Sequence, residues 1–476
     1  MRKNKMQMSL LDTYNGVCLA KEENKPSFLA LLEEHINFNT LIPVEFYWAF
    51  HRYIGRPRDY QLEGFIKFCL LQKILGIEKD STLITILKVS SELREFCGFD
   101  DADCVPDGSK ITRFKQDFVA YIEKVFENLV ELTEPICREL DAKKSDYLIY
   151  DPTGIEAHVA ENNPKFLNGK LNQAKKYAKN NPELNPHSLA YSQMPETAAA
   201  NPFINNQYIN GHFCYAHKAG ILTNGLGIVR GIAFFDDNFK RRHPEVVSKK
   251  TDNPEIDKEI ADSVSLRPVL SDFFDAHPTF SYKTFIGDSA FDSYDNFNML
   301  RDDFLFDRVA IPLNPRGSSN VHSDFDSNGT PVCPIDRTPF TFIGFSGGKN
   351  RSDRFKWVCH KSKHKGSSRI NTCDTPCTDS TYGRCVHTYP DKDFRFYPGI
   401  PRGTEHWDNL YRHRVLIERT IYLLKEPLGA ASRKSFSSRT AKADLLFAGI
   451  TQLVGVVLAQ AINKPHLYKS VRKLIA

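Results

Sequence analysis

The sequence predicts an α/β protein: a mixed sheet flanked by helices, with an all-α domain before it and an irregular, cysteine-containing insertion late within it. Three observations predict this. From about residue 28 to 140, apolar residues recur every three to four positions. From 146 to 315, short strand-like runs alternate with helical ones. From 316 to 400 the chain becomes rich in Gly, Ser, Pro, Cys and basic residues. Residues 1–140 are therefore read as a helical domain and 141–315 as the first part of the sheet domain. Residues 316–400 are the insertion, and 401–476 complete the sheet domain with a C-terminal helix.

Composition bounds what the chain can be. Its 476 residues are 41% hydrophobic and 25% charged, an ordinary water-soluble balance with room for two or three domains. The net charge of +5 permits a polyanionic partner without requiring one. The one long apolar run, ADLLFAGITQLVGVVLAQAI (443–462), is interrupted by Asp444, Gln452 and Gln460 and reads as a buried helix rather than a membrane span. Eleven cysteines are an odd number, and MRKNKMQMSLLDTYNG (1–16) lacks the apolar core of a secretory signal. Free thiols in a reducing cytoplasm are expected.

The helical domain is built from FLALLEEHI, YQLEGFIKFCLLQKILGI, TLITILKVSSELREFCGF and SKITRFKQDFVAYIEKVFENLVELTEPICREL. Asp80 and Ser81 open one segment and Asp107 to Ser109 another, in the manner of helix caps. GRPRDY (55–60) and FCGFDDADCVPDGS (96–109) punctuate them. Compact helical domains commonly lay one helix in a DNA groove, although a structural or dimerising bundle fits the same pattern.

The period then changes. DYLIYDPTGI is a short strand ending in Asp151. GHFCYAHKAGIL and GLGIVRGIAFF are two more strands, with a turn near Asn224–Gly225. SLRPVLSDFFDAH (265–277) is a helix, YKTFIGDSAF (282–291) a strand ending at Asp288, DSYDNFNMLRDDF a helix, and RVAIPLNP (308–315) a last strand. Asp292 is expected to cap that helix together with Ser293.

YRHRVLIERTIYLLK (411–425) lacks Gly and Pro and reads as helix. Tyr411, Arg414, Glu418 and Lys425 fall on one stripe of it, since a helix turns every 3.6 residues. By itself the stripe also suits a solvated face laced by salt bridges. Its meaning changes with the rest of the chain. Asp151 and Asp288 end strands that would emerge at one sheet edge if those strands were neighbours, and a late helix could bring Glu418 to them. Three carboxylates that close need a compensating charge. Oxygen ligands select a hard divalent cation, Mg²⁺ or Mn²⁺. Two such ions about 4 Å apart can activate an attacking oxygen and stabilise the leaving oxygen of a phosphodiester.

Taken together, these blocks resemble the DDE transposases of bacterial insertion sequences, in the branch with a Tyr-Arg-Glu-Lys signature. In that branch two, three and six residues separate the four members, and Tyr411, Arg414, Glu418 and Lys425 match every gap. YDPTGI around Asp151 looks like the first-aspartate motif and GDSAFDS around Asp288 like the second. GRPRDY, FCGF and VPDGSKITRF resemble the N-terminal domain of these enzymes. The resemblance implies an RNase H-like catalytic domain, with Asp151, Asp288 and Glu418 as catalytic metal ligands for Mg²⁺ or Mn²⁺. It implies Tyr411, Arg414 and Lys425 as contacts to the DNA end, DNA ends and target DNA as partners, and a homodimer on DNA. The expected activity is cleavage of DNA ends followed by strand transfer. A cutting-only nuclease, a DNA-binding protein with an inactive catalytic domain, and a helical scaffold with a zinc knuckle are the rival readings.

The insertion departs from the resemblance. Cys333, Cys359, Cys373, Cys377 and Cys385 fall in it, with His360, His364 and His387. A structural Zn²⁺ held by Cys359, Cys373, Cys377 and Cys385, with Cys333 as substitute, is expected alongside the alternative of unligated thiols. GGKNRSDRFKWVCHKSKHKGSSR (347–369) carries eight Lys or Arg and one Asp, interleaved with Phe355 and Trp357. Arg354, Lys356 and Trp357 are therefore expected to meet a nucleic-acid backbone with a stacking contact. KLNQAKKYAK (170–179) and KRRH (240–243) are weaker basic candidates.

Overall fold

The computed structural model describes residues 27–51, 58–181, 183–209, 212–246, 262–314, 324–348, 351–432, 434–469, 471 and 474. The 1–16 stretch and the first residues of GRPRDY lie outside them. The strands are β1 (Tyr147–Glu156), β2 (Thr197–Ala198), β3 (Asn201–Ile209), β4 (His212–Asn224), β5 (Val229–Phe234), β6 (Thr284–Ile286), β7 (Arg308–Ala310), β8 (Thr341–Gly348), β9 (Arg351–Val358), β10 (Ser362–Lys365), β11 (Ser368–Asn371) and β12 (Cys385–Thr388). The chain divides into two compact units, and neither is contiguous. One is Met1–Ile136, Ile155–His217 and Tyr422–Ala476; the other is Cys137–Gly154 and Lys218–Ile421. The segments from 155 and from 422 thus group with the N-terminal helices, unlike the linear division drawn from sequence.

The first unit is organised by the helix Ser438–Ala461. It is buried along nearly its whole length and packs on the helices Ser27–His35, Leu62–Leu75 and Gly108–Asp117. By length and apolarity it could cross a membrane, yet 89% of its most apolar window is buried inside the protein. Its one carboxylate explains how a charge sits there. Asp444 Oδ1 lies 2.7 Å from Lys115 Nζ and 3.6 Å from Lys73 Nζ. Lys115 Nζ is also 3.6 Å from Asp80 Oδ1, which accepts from Gln72 Nε2 at 2.9 Å. Asp80 is therefore turned into the core rather than capping its helix, and Lys79 holds the cap position without a side-chain bond. Asp107 does cap, accepting from Ser109 N and Lys110 N. The run 109–140 is two helices, Gly108–Asp117 and Val119–Leu140, because the chain bends at Phe118. Gly76, at φ +67°, closes the Leu62–Leu75 helix in the left-handed conformation that glycine adopts without strain.

The same unit holds β2–β3 and the first half of β4, paired antiparallel from Asn205↔Ala216 to Ile209↔His212. Between β1 and β2 run two helices, Pro164–Ala178 and Pro186–Ser192. Each begins with an Asn cap and Pro in the first turn, where a missing N–H costs nothing.

In the second unit the strands lie in the order β5–β4–β1–β6–β7. β4 and β5 are antiparallel, while β1, β6 and β7 are parallel. The expected turn forms at Asn224, whose Oδ1 accepts from Leu226 N and Ile228 N. β1 is buried through Leu148, Ile149 and Tyr150, as a central strand covered on both faces must be. Tyr150 leaves no space at Gly220, where an added Cβ would stand 2.7 Å from its hydroxyl.

The insertion is not irregular. β12–β9–β8 form an antiparallel sheet and β10–β11 a hairpin. Along β9, Phe355 and Trp357 point into a core shared with Phe340, Cys333 and Cys359, while Lys356 is exposed and Arg354 half-exposed. This two-residue alternation separates what the sequence shows as a mixture.

The buried ion cluster makes a stability prediction. Asp444→Ala leaves two buried ammonium groups with one carboxylate, Asp80, between them and should destabilise the chain by about 3 kcal/mol, read as the urea midpoint, whereas Lys442→Ala, whose partner Glu123 is more exposed, should cost well under half as much.

Candidate active site

Two parallel strands set the height of two carboxylates. β1 and β6 pair Tyr147↔Thr284, Leu148↔Phe285 and Ile149↔Ile286. Asp151 and Asp288 each lie two residues beyond the last pair, so the register brings them out at the same level. Tyr150 fixes β1 beneath them: its hydroxyl meets Ser265 Oγ at 2.7 Å on the helix Asp262–Ala276. Asp288 Oδ1 accepts from Ser289 Oγ at 3.0 Å in the tight turn that follows β6.

The third carboxylate arrives on the helix Val415–Lys425. Residues 411–425 are not one regular helix. Glu405–Tyr411 ends in a tighter turn over Arg412–Arg414, and the α-helix resumes at Val415. His413 Nδ1 lies 3.1 Å from the carbonyls of Asn409 and Leu410 that this turn releases. Ile417 is fully buried, and Thr420 Oγ1 donates to Gly227 O at 2.9 Å, which docks the helix on the turn between β4 and β5.

Arg414 is the centre of the site. Its Nη2 lies 3.4 Å from Asp151 Oδ2 and 3.3 Å from Asp288 Oδ2, and its Nη1 donates to Glu418 Oε1. Burial works against the guanidinium's charge, but the three carboxylates outweigh it and hold its pKa above the ordinary value. Asp151 responds oppositely. Burial pushes its carboxyl up to about 6 against the pull of Arg414, and Asp288, Asp262 and Glu418 add to the rise. Asp262, at the start of its helix, is a fourth carboxylate that sequence reading missed. It is paired with Lys218 at 2.6 Å, and nothing in the local pattern distinguishes it from an ordinary first-turn acid.

Among the described residues no three His, Cys, Asp or Glu side chains stand together as an ion cage. The carboxylates surround the guanidinium, not a common point. Their chemistry nevertheless fits a hard divalent cation, because they are all-oxygen donors crowded enough to need positive charge.

Other expected residues are placed differently. Tyr411 stacks on Trp407 with centroids 6.2 Å apart, and burial, opposed by Arg414, raises its hydroxyl's pKa. Lys425 does not extend the stripe as an exposed contact. It belongs to the other unit, is buried, and burial lowers its ammonium pKa while Glu426 and Cys214 oppose that fall. Asp292 is no helix cap; Ser293 is, accepting from Asn296 N. Asp292 forms a two-pronged pair with Arg395, both contacts at 2.8 Å, and accepts from Asn314 N. The adjacent Ser supplies the cap, which frees the Asp for the core.

In the insertion, Trp357 is core, its Nε1 donating to Thr388 Oγ1, and so offers no stacking surface. Arg354 and Lys356 share the outer face with His387, Lys356's cross-strand partner. Cys385 pairs with Val358, so it projects from the face opposite Cys359, which continues the inward row of Phe355 and Trp357. Cys385 thus stands apart from Cys359 by strand register. Cys333 shares the core of Cys359, and the Cys333 turn is tied to the Cys359 turn by Asp336–Lys361 at 3.0 Å. Thr372 joins Cys373 to that point through two bonds to Lys361 O. Cys333, Cys377 and Cys373 all lie within electrostatic reach of the Cys359 thiol, whose pKa burial raises first. The KRRH run is largely neutralised, by Arg241–Asp237 and by Arg242 and His243 with Asp272.

The electrostatics of Asp151 make a pH prediction. With its carboxyl at about 6 in the fold against 3.8 for a free one, the neutral form is favoured by folding. That contribution is whole below pH 4 and fades as pH rises through 6, a loss of about 3 kcal/mol. In chelator-treated buffer Asp151→Asn should melt above the wild type at pH 8, with the gap closing near pH 4; a gap independent of pH would contradict the assignment.

Residues 17–117 match the family described as a transposase domain (DUF772). No curated protein matches the chain. Among solved structures, the chain is similar to the piggyBac transposase synaptic complex with hairpin DNA at 11% identity, over 94% of this chain and 84% of that one, with a TM-score of 0.27, a likeness too slight to carry an argument.

Proposed function

We propose that the chain is a DDE transposase that hydrolyses DNA ends and joins the freed 3′-hydroxyl to target DNA. The observation that carries the proposal is the convergence of Asp151, Asp288 and Glu418, from three distant segments, on one cationic centre. The transposase-domain match over 17–117 supports it. In this reading the helical region binds DNA ends. The strand order β5–β4–β1–β6–β7, antiparallel at one edge and parallel from β1 onward, suits an RNase H-like reading.

In this reading Asp151, Asp288 and Glu418 hold Mg²⁺ or Mn²⁺. The ion would supply Lewis-acid activation of the attacking oxygen and stabilise the leaving one. Arg414 balances the carboxylates and offers the two-pronged grip that a phosphate also accepts, so it exchanges one anionic partner for another when DNA enters. Tyr411, braced on Trp407, fixes the turn that carries Arg414. Seating the grip and a ligand four residues apart on docked backbone keeps the scissile phosphate in register with the carboxylates. Arg354 and Lys356 add a basic face for the DNA backbone. Bringing two ends together asks for a homodimer on DNA, in a reducing cytoplasm. We also propose a structural Zn²⁺ in the insertion, for which Cys333, Cys359, Cys373 and Cys377 would draw together, since they form no ion cage among the described residues.

A labelled DNA end tests the catalytic reading. The wild type should cleave it and join it to target, and Asp288→Asn should lose both by roughly 10²-fold or more. Full cleavage by Asp288→Asn would overturn the proposal, and cleavage without joining by the wild type would assign a nuclease instead. Elemental analysis tests the insertion: the purified chain should carry about one Zn²⁺, lost in Cys333→Ser and kept in Cys385→Ser.

A further inference from the structure

A cavity of about 430 Å³ opens in the segment between Ile155 and His217, lined by none of the carboxylate-site residues. Glu161, Asn206, Leu167, Met194, Tyr191 and Phe213 line it. Three features are unusual together. Tyr191 and Phe213 are 52% and 62% exposed, yet their rings stand only 6.4 Å apart at the rim, an apolar surface kept at the solvent boundary. Glu161 is more than nine-tenths buried; its Oε1 accepts from Ala199 N at 2.9 Å, while Oε2 has no hydrogen-bond partner among the described residues. Asn206 likewise has a buried Oδ1 without a partner. A buried acceptor without a donor is costly, so such atoms are met by ordered water or by a ligand's N–H groups, and in a cavity this size a ligand can displace the water.

The surroundings indicate the class of ligand. The helix Pro164–Ala178, two of whose residues line the cavity, carries Lys165, Lys175 and Lys176 exposed, with Lys179 just beyond. Aromatic faces, inward acceptors and lysines beside them suit a flat, donor-bearing ring attached to an anionic backbone. We infer that this cavity binds an unstacked nucleobase carrying an exocyclic amino group, with Tyr191 and Phe213 against its face and Glu161 accepting from its amino N–H. The lysines meet the flanking phosphates. Thymine, which has a carbonyl where cytosine has its amino group, is disfavoured because that oxygen would face the Glu161 carboxylate. This site rests on the reading of the chain as a DNA-binding enzyme, and extends it to a base-reading contact outside the carboxylate centre.

The test uses the full chain and fluorescently labelled single-stranded homopolymers of deoxycytidine, deoxyadenosine and thymidine, about twelve nucleotides long, with binding read by anisotropy at fixed salt. The deoxycytidine and deoxyadenosine strands should bind about tenfold more tightly than thymidine. Phe213→Ala should weaken all three by about tenfold through lost stacking. Glu161→Gln, whose oxygen keeps the Ala199 N–H and whose amide then faces inward as a donor, should weaken the deoxycytidine and deoxyadenosine strands and strengthen thymidine, so that the base preference is abolished or reversed. Tyr191→Leu, which keeps an apolar side chain, provides the second stacking variant should Phe213→Ala melt early. Equal affinity for all three strands, or a preference that survives Glu161→Gln, would overturn the inference. The two readings fail separately: cutting and joining of DNA without base preference sinks only this site, and base preference in a chain that neither cuts nor joins sinks only the catalytic reading.

Discussion

The site depends on one electrostatic problem, the gathering of three carboxylates from segments some 130 residues or more apart, and on its solution by a guanidinium rooted in one of those same segments. Coulomb repulsion among groups this close would scatter them in the absence of a cation. Arg414 supplies it from four residues before Glu418, so one turn of helix carries both a member of the acidic set and its balance. The elements that present these groups are correspondingly fixed: β1 is central and buried, Tyr150 is tied to Ser265, and Thr420 is tied to Gly227.

Elsewhere the chain meets buried charge by the same device, for a different end. Lys73, Lys115, Asp80 and Asp444 gather as two cations and two anions, and Asp292 and Arg395 as one of each. Such sets are weak contributors to net stability but very sensitive to loss of one member, which makes them fasteners of register between elements. The carboxylate site differs in its arithmetic. Four acids, Asp151, Asp262, Asp288 and Glu418, answer to Arg414 and Lys218, so acidic charge is in excess where the fasteners are balanced.

Much of this site was legible in the sequence because its geometry follows from periodicity. Two strands that lead to Asp and a helix with a fixed Arg-to-Glu spacing needed only one further condition, adjacency of β1 and β6, which the structure meets, although β1 runs on to Glu156 instead of ending at Asp151 as expected. What was not legible follows from tertiary context. Asp80 and Asp292 look like caps by local chemistry, yet each is taken by a distant cation. Lys425 keeps helical phase with Glu418, but phase says nothing of which face a neighbouring segment covers. The insertion looked irregular because strands with basic outer and aromatic inner faces share the composition of a basic loop. Residues 156–210 yielded no element beforehand, since polar strands and Asn-capped helices lack a strong apolar period.

The strain at Asp151 argues for use rather than architecture. Burying a carboxyl beside three other acids raises the free energy of its charged form, and a sequence selected for stability alone could remove that burden with an Asn of the same shape. The acids kept for structure in this chain are the ones whose charge is matched, at Asp444 and Asp292. Of the acids left in excess, Asp151 and Asp288 are brought by the strand register to a common level two residues past the last parallel pair, and Asp262 and Glu418 reach them on helices. A destabilising feature placed where solvent and substrate can reach it is what differential stabilisation of a charged reaction partner requires, since the incoming positive charge recovers in the complex what the free chain lacks.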